Sequence, residues 1–243
     1  MLAACAEPLP PPAPRNPAAE AKVLVQGFGP GKTCRNDRDC ELGAARAVCT
    51  LGTCFGLLTT DERVTRSLLL TRLAAADPAV QQAAAPGLLA ALVSDTTTTG
   101  QRLAAIAGLG EVLAGREDAE IRTTLRLFAG NADEALAVTA RLTLGRLGDR
   151  EVQPALLEDL TRGTELLRAE AARALQRQVT DAAVCRALRL ALADASPVVQ
   201  LAAVQALAPV AADPEVRREL QQLAQRSPAV RYDIERLLAG GGK

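Results

Sequence analysis

Four segments of this chain repeat one pattern at an almost fixed interval. They read Asp118-x-x-Ile121-x-x-x-Leu125, Asp149-x-x-Val152-x-x-x-Leu156, Asp181-x-x-Val184-x-x-x-Leu188 and Asp213-x-x-Val216-x-x-x-Leu220. The last three are spaced 32 residues apart, and the first stands 31 residues before the second. Asp77-x-x-Val80 opens a fifth, more divergent copy. Self-similarity at such a period belongs to repeat architectures, in which each unit buries its apolar face against the next. The residue types explain the pattern locally. Asp is a preferred N-cap, because its carboxylate accepts the orphan N–H groups of a first helical turn at the positive end of the helix dipole. The two aliphatic residues, four apart, then share one helix face.

A second helix type alternates with the first. Leu167, Ala171, Ala174, Leu175 returns as Val199, Ala203, Ala206, Leu207, and more loosely as Leu136, Ala140, Thr143, Leu144 and as Val230, Ile234, Leu237, Leu238. Those spacings draw one stripe along a helix. Alanine in its middle lets neighbouring helices approach closely. Aromatic residues are only 2% of a chain that is 49% hydrophobic, and Trp is absent, so Leu, Ala and Val have to build the core. We expect first helices near 61–75, 101–115, 134–147, 165–178 and 197–211. Second helices are expected near 77–93, 118–130, 150–162, 181–193 and 213–226, with a last helix near 229–239. Each first helix forms a hairpin with the second helix that follows it. The run Asp95 to Gly100, rich in Thr, breaks the spacing and reads as an exposed loop.

At this point the chain resembles a known family. Residues 166–194, LLRAEAARALQRQVTDAAVCRALRLALAD, are similar to the short HEAT-like repeat first described in phycobilisome lyases. Arg168 and Arg231 match its Arg, and Asp149, Asp181 and Asp213 match its turn Asp. Gln200 replaces the Arg in one copy, which interrupts any continuous Asp–Arg ladder. The resemblance implies an all-α fold: an α-solenoid of about five helical hairpins and a capping helix over residues 59–243, preceded by a small disulfide-rich segment. Such repeats scaffold many activities, so the fold leaves function open. In this family the second helices line the concave face. The residues implied there for binding a partner are Glu158, Arg162, Arg186, Arg189, Arg217, Arg218, Gln221, Gln222 and Gln225.

The first 20 residues are of another kind. Leu2-Ala3-Ala4-Cys5 resembles a bacterial lipobox, in which the Cys thiol receives a diacylglycerol. On that reading a basic and apolar stretch stands in frame upstream of Met1. The following AEPLPPPAPRNPAAE favours an extended tether. Residue Ala6 is not Asp, which in many diderm bacteria implies sorting to the outer membrane. The expected place is therefore the cell envelope, facing the periplasm or the outside; a cytoplasmic adaptor with free thiols is the alternative.

Residues 21–58 hold Cys34, Cys40, Cys49 and Cys54. Structural zinc is one reading, though only the last gap has a usual zinc spacing. Disulfides are the other, and four cysteines allow three connectivities. The stretch resembles a short disulfide module of bacterial surface proteins, with Asn36-Asp37-Arg38-Asp39-Cys40, Gly43 and Thr50-Leu51-Gly52-Thr53-Cys54 in place. From that resemblance we expect the pairs Cys34–Cys49 and Cys40–Cys54. Residues 23–33, VLVQGFGPGKT, imitate a phosphate-binding loop. Gln26 stands where its first Gly belongs, so the segment reads as a short apolar strand and a Gly/Pro turn.

Function classes narrow from composition. No His is present, which removes the commonest general base and zinc ligand. Cys185, on a helix face, reads as a small buried hydrophobe. Lys and Arg number 28, as do Asp and Glu, so no basic surplus points to nucleic acid. No apolar run is long enough to span a bilayer. The expected role is a non-enzymatic protein–protein scaffold with no cofactor, no catalytic residue and no metal, lipid-anchored through Cys5. A lyase-like enzyme is the weaker alternative. The partner's identity and the oligomeric state are not written in the sequence.

Overall fold

The computed structural model describes residues 16–25, 48–50, 53–55, 73–95, 97–114 and 117–240. Apart from one short hairpin they are helical. The helices are α1 (Pro17–Val25), α2 (Pro78–Val93), α3 (Thr99–Leu113), α4 (Ala119–Ala129), α5 (Glu134–Arg146), α6 (Gln153–Arg162), α7 (Glu165–Ala174), α8 (Ala182–Ala191), α9 (Pro197–Leu207), α10 (Pro214–Arg226) and α11 (Pro228–Gly240). The hairpin pairs β1 (Val48–Thr50) with β2 (Thr53–Phe55) in antiparallel register. None of the helices is long and apolar enough to cross a membrane among the described residues.

Helix starts follow the repeated Asp. Asp77, Asp118, Asp181 and Asp213 each accept backbone N–H groups of the first turn of α2, α4, α8 and α10. Asp149 does the same for a 3-10 turn, Arg150–Val152, that leads into α6. The intervening helices are capped by Thr98, Asp133, Thr164 and Ser196. Thr98 and Gln101 form a reciprocal capping box. Pro at the first turns of α2, α9 and α10 removes only donors that have no partner there. After α5 the chain turns at Gly148, whose φ of 77° is favourable only for Gly.

The predicted stripes are buried. Ile121, Val152, Val184 and Val216 are at most 6% exposed, and Leu125, Leu156, Leu188 and Leu220 are fully enclosed. The first-type helices contribute Ala140, Ala171, Ala174, Val199, Ala203 and Ala206; Leu167, Leu237 and Leu238 are only half-buried. First-type helices touch one another in chain order, α3 to α5 to α7 to α9 to α11, and one continuous apolar cluster runs from Ala21 to Ile234.

Helix pairing differs from the expected hairpins. Each second helix packs most on the first helix that follows it: α2 on α3, α4 on α5, α6 on α7, α8 on α9 and α10 on α11. The connections give the reason. Two residues, Gly163 and Thr164, join α6 to α7, and Ser227 alone joins α10 to α11. In the other direction the chain passes through a 3-10 turn, Gln176–Gln178 or Ala208–Val210, before the capping Asp. These turns also stop α7 and α9 earlier than the sequence pattern implies.

Two further expectations are corrected. Residues 17–25 are neither tether nor apolar strand but the helix α1, which packs on α2 through Ala21. Asn16 starts it by accepting the Ala19 N–H at 3.2 Å, and Pro17 then occupies the first helical position. The Thr-rich loop is not wholly exposed. Thr97 is buried, its hydroxyl 2.8 Å from the carbonyls of Ala91 and Ser94, while Thr98 and Thr99 already belong to the start of α3.

The tightest approach lies at Gly145. A methyl group there would collide with Leu156 Cδ1 and meet Ala174 Cβ at 3.0 Å. Gly145→Ala therefore destabilises the fold by about 1–3 kcal/mol, read as a lower urea midpoint with far-UV circular dichroism unchanged in native buffer.

Candidate functional site

Every binding residue implied by the sequence falls on a second helix: Glu158 and Arg162 on α6, Arg186 and Arg189 on α8, and Arg217, Arg218, Gln221, Gln222 and Gln225 on α10. The structure brings these helices together in part. Helix α6 contacts α8, and Arg189 of α8 forms a bidentate pair with Glu219 of α10, at 2.9 and 2.6 Å, with Glu215 at 3.1 Å. Arg189 is thus engaged inside the chain and holds two helices in register. Glu158 and Arg162 pair with each other one turn apart on α6, where both are exposed. Such a pair is weak, and a partner easily displaces it. Arg186, Arg218, Gln222 and Gln225 are exposed.

On α10 two concave features add depth. Arg217 lines a cleft of about 630 Å³ with Gln205, Asp233, Arg236 and Leu237. Gln221 and Gln225 line a groove of about 710 Å³ with Arg231, Glu235 and Leu238. The groove lies where α10 and α11 meet, whereas the cleft lies between α11 and the end of α9 with the turn after it, Arg217 being its one lining residue from α10.

Counting from the capping Asp adds Leu127 and Leu190 to the residues implied by the sequence. The positions nine residues after Asp118, Asp149, Asp181 and Asp213 are Leu127, Glu158, Leu190 and Gln222, and all four are exposed. Leu127 and Leu190 each present 72% of their surface to solvent. Five residues after Asp181 and Asp213 stand Arg186 and Arg218. The outward side of these second helices therefore repeats one exposed position in phase, occupied by Leu, Glu, Leu and Gln in turn. The offset that located the core stripe also locates this row.

Ion pairs hold that face in place. The carboxylate of Asp149 is fully buried; it accepts the Glu151 N–H at 3.0 Å, Arg126 Nη2 at 2.8 Å and Nε at 3.0 Å, and Arg122 Nη1 at 3.3 Å. Its backbone carbonyl accepts Gln178 Nε2 at 3.2 Å. Both arginines come from α4, so this cluster ties α4 to the turn before α6. Arg141 of α5 meets Asp159 of α6 at 3.2 Å, and Arg146 of α5 meets Glu170 of α7. The implied Asp–Arg ladder takes a different form. Arg168 reaches Asp194, beyond the end of α8, through two bonds of 2.9 Å. Gln200 donates to the Asp194 carbonyl and accepts from the Ser227 hydroxyl, and Arg231 donates to the Ala224 carbonyl. The turn residues Asp181 and Asp213 act as helix caps.

Cys5, Cys34 and Cys40 lie outside the described residues, as do residues 26–33 of the loop resembling a phosphate site. Of Cys49 and Cys54 the structure describes the backbone only, on β1 and β2. Cys185 is a half-buried free thiol against the core. Among the described residues no group of three or more potential ligands from His, Cys, Asp and Glu comes together. Comparison with protein-family models, with curated proteins and with solved structures gives no match to this chain.

The network sets a pH dependence. Burial raises the Asp149 carboxyl, but the Arg126, Glu151 N–H and Arg122 hydrogen bonds outweigh it and hold it below its ordinary value. Arg168 lowers Asp194, and Arg189 lowers Glu219. Each folded value lies below the unfolded one. The stability they contribute is complete above the ordinary carboxylate range of about pH 4 and is lost as pH falls through the folded values. Asp149→Asn leaves two arginines short of a buried counter-charge. It costs about 3–5 kcal/mol at neutral pH and flattens the acid limb of the stability curve, both read by urea titration at a series of pH values.

Proposed function

We propose that this chain is a HEAT-like α-solenoid that docks a partner protein in the bacterial cell envelope, held at a membrane surface by a lipid on Cys5. The observation that carries the docking role is the in-phase row Leu127, Glu158, Leu190 and Gln222, flanked by Arg186 and Arg218. Exposed leucines set among charges at a fixed interval supply an extended contact surface. Apolar anchors give binding energy there, and the charges around them give orientation. The chain-ordered contacts of the first-type helices support the solenoid reading, since repeat arrays present such a surface by stacking near-identical units. The lipobox resemblance at Cys5 and the proline-dense stretch after it support the anchor. Binding without catalysis is the role proposed.

Two experiments test the two halves separately. Leu190→Asp with Arg186→Glu weakens capture of the protein retained by wild-type chain from detergent-solubilised membranes about tenfold or more, while thermal unfolding is unchanged. Arg177→Glu, on the turn after α7, leaves capture intact. Equal capture by all three chains overturns the assigned surface. For the anchor, the chain is expressed from its own gene in its own host with alkyne-tagged palmitate. Label appears in the wild type and vanishes in Cys5→Ser; equal labelling, or none in either, overturns the lipid anchor and leaves the docking surface untouched.

A further inference from the structure

The hairpin register bears on how the cysteines pair. Strands β1 and β2 align Val48 with Phe55, Cys49 with Cys54 and Thr50 with Thr53. Two residues, Leu51 and Gly52, connect Thr50 to Thr53. In a hairpin closed by a two-residue connection, the pair that flanks it exchanges both backbone hydrogen bonds, and pairs alternate from there. Thr50 and Thr53 are that closing pair. Cys49 and Cys54 are then the next, a non-hydrogen-bonded pair. Facing residues in such a pair have Cα atoms about 4.5 Å apart and lie on the same face of the sheet. A disulfide requires a Cα separation of about 4.4–6.8 Å. The register thus places these two positions inside the window for a direct bond.

We propose that Cys49 and Cys54 are each other's disulfide partners, against the crossed pairing Cys34–Cys49 and Cys40–Cys54 that the module resemblance implies. The bond closes a loop of only six residues across a pair the backbone already aligns, so little chain entropy opposes it. The inference does not rest on the docking role. With oxidised glutathione as the oxidant, one thiolate of the pair attacks the glutathione disulfide, forms a mixed disulfide and releases one glutathione. The second thiolate attacks the protein sulfur of that mixed disulfide and releases the other glutathione. Two protein thiols are oxidised, one glutathione disulfide is reduced, and the two protons pass to the released thiolates.

Cleavage by trypsin reads the pairing directly. Cys34 falls in peptide 33–35, Cys40 in 39–46, and Cys49 with Cys54 in 47–63. The full chain is equilibrated in a buffer of reduced and oxidised glutathione, blocked with N-ethylmaleimide, digested and weighed. The proposal expects peptide 47–63 unjoined to any other and two hydrogens lighter than its reduced form. A three-peptide species joining 33–35, 39–46 and 47–63 overturns it, as do maleimide or glutathione adducts on Cys49 and Cys54. In a Cys34→Ala, Cys40→Ala chain the equilibrium between this bond and glutathione stays within about twofold of the wild type. A loss of tenfold or more, on the order of 30 mV, also overturns it.

Discussion

The fold depends on how closely its first-type helices approach one another. Ala171, Ala172 and Ala174 on α7 and Ala202, Ala203 and Ala206 on α9 are almost completely enclosed, and Gly145 on α5 has no room for a methyl group. Side chains this small bury little area each, so packing has to compensate by bringing backbones together over the whole helix length. With so few aromatic residues available, close backbone approach is the route open to a chain of this composition. It fits the near-constant interval of the aliphatic stripe: a slip of one position on α5 puts a side chain where Gly145 leaves no room for a methyl group.

Close packing fixes the spacing of helices but tolerates sliding along their axes, and the ion pairs act against that. Arg168 with Asp194 and Arg189 with Glu219 are planar forks on carboxylates, a geometry that specifies orientation as well as distance. Asp149 does more, since its buried carboxylate accepts from two arginines while capping a turn. A buried ion pair is weak evidence for stability in itself. Here it sits where the regular cap gives way to a 3-10 turn, and the arginines restrain the chain at that irregular point.

Most of this was legible in the residues. Asp caps and Val/Leu offsets placed α2 and each helix from α4 to α11 within a few residues, because capping and amphipathic burial are local and chemically specific. The pairing of helices was not, since it turns on connection length: Ser227 alone separates α10 from α11, whereas a 3-10 turn precedes the Asp of each second helix beyond α7. Helix α1 was hidden by its context, as the prolines before Asn16 read as tether while Ala18, Ala19 and Ala21 favour helix once Asn16 caps them. Among the site residues, Arg189 and Arg186 look alike in sequence. Only the position of Glu219 on the neighbouring helix separates the engaged arginine from the solvent-exposed one.

This division of labour determines where specificity can reside. Helix α9, PVVQLAAVQAL, is apolar over most of its surface and is occupied by packing on α7, α8 and α11. Helices α4, α8 and α10 bury their repeated aliphatic residues on one side and carry their charges on the other, where Leu127 and Leu190 are also exposed. A substitution on an inner helix meets neighbours within van der Waals contact and is felt by the fold. A substitution nine residues after a capping Asp meets solvent, so Leu127, Glu158, Leu190 and Gln222 are free to differ while Leu125, Leu156, Leu188 and Leu220, two residues earlier and fully enclosed, are not. Two leucines left in water at that row are therefore not required by folding, and they supply the apolar surface on which the proposed docking role rests.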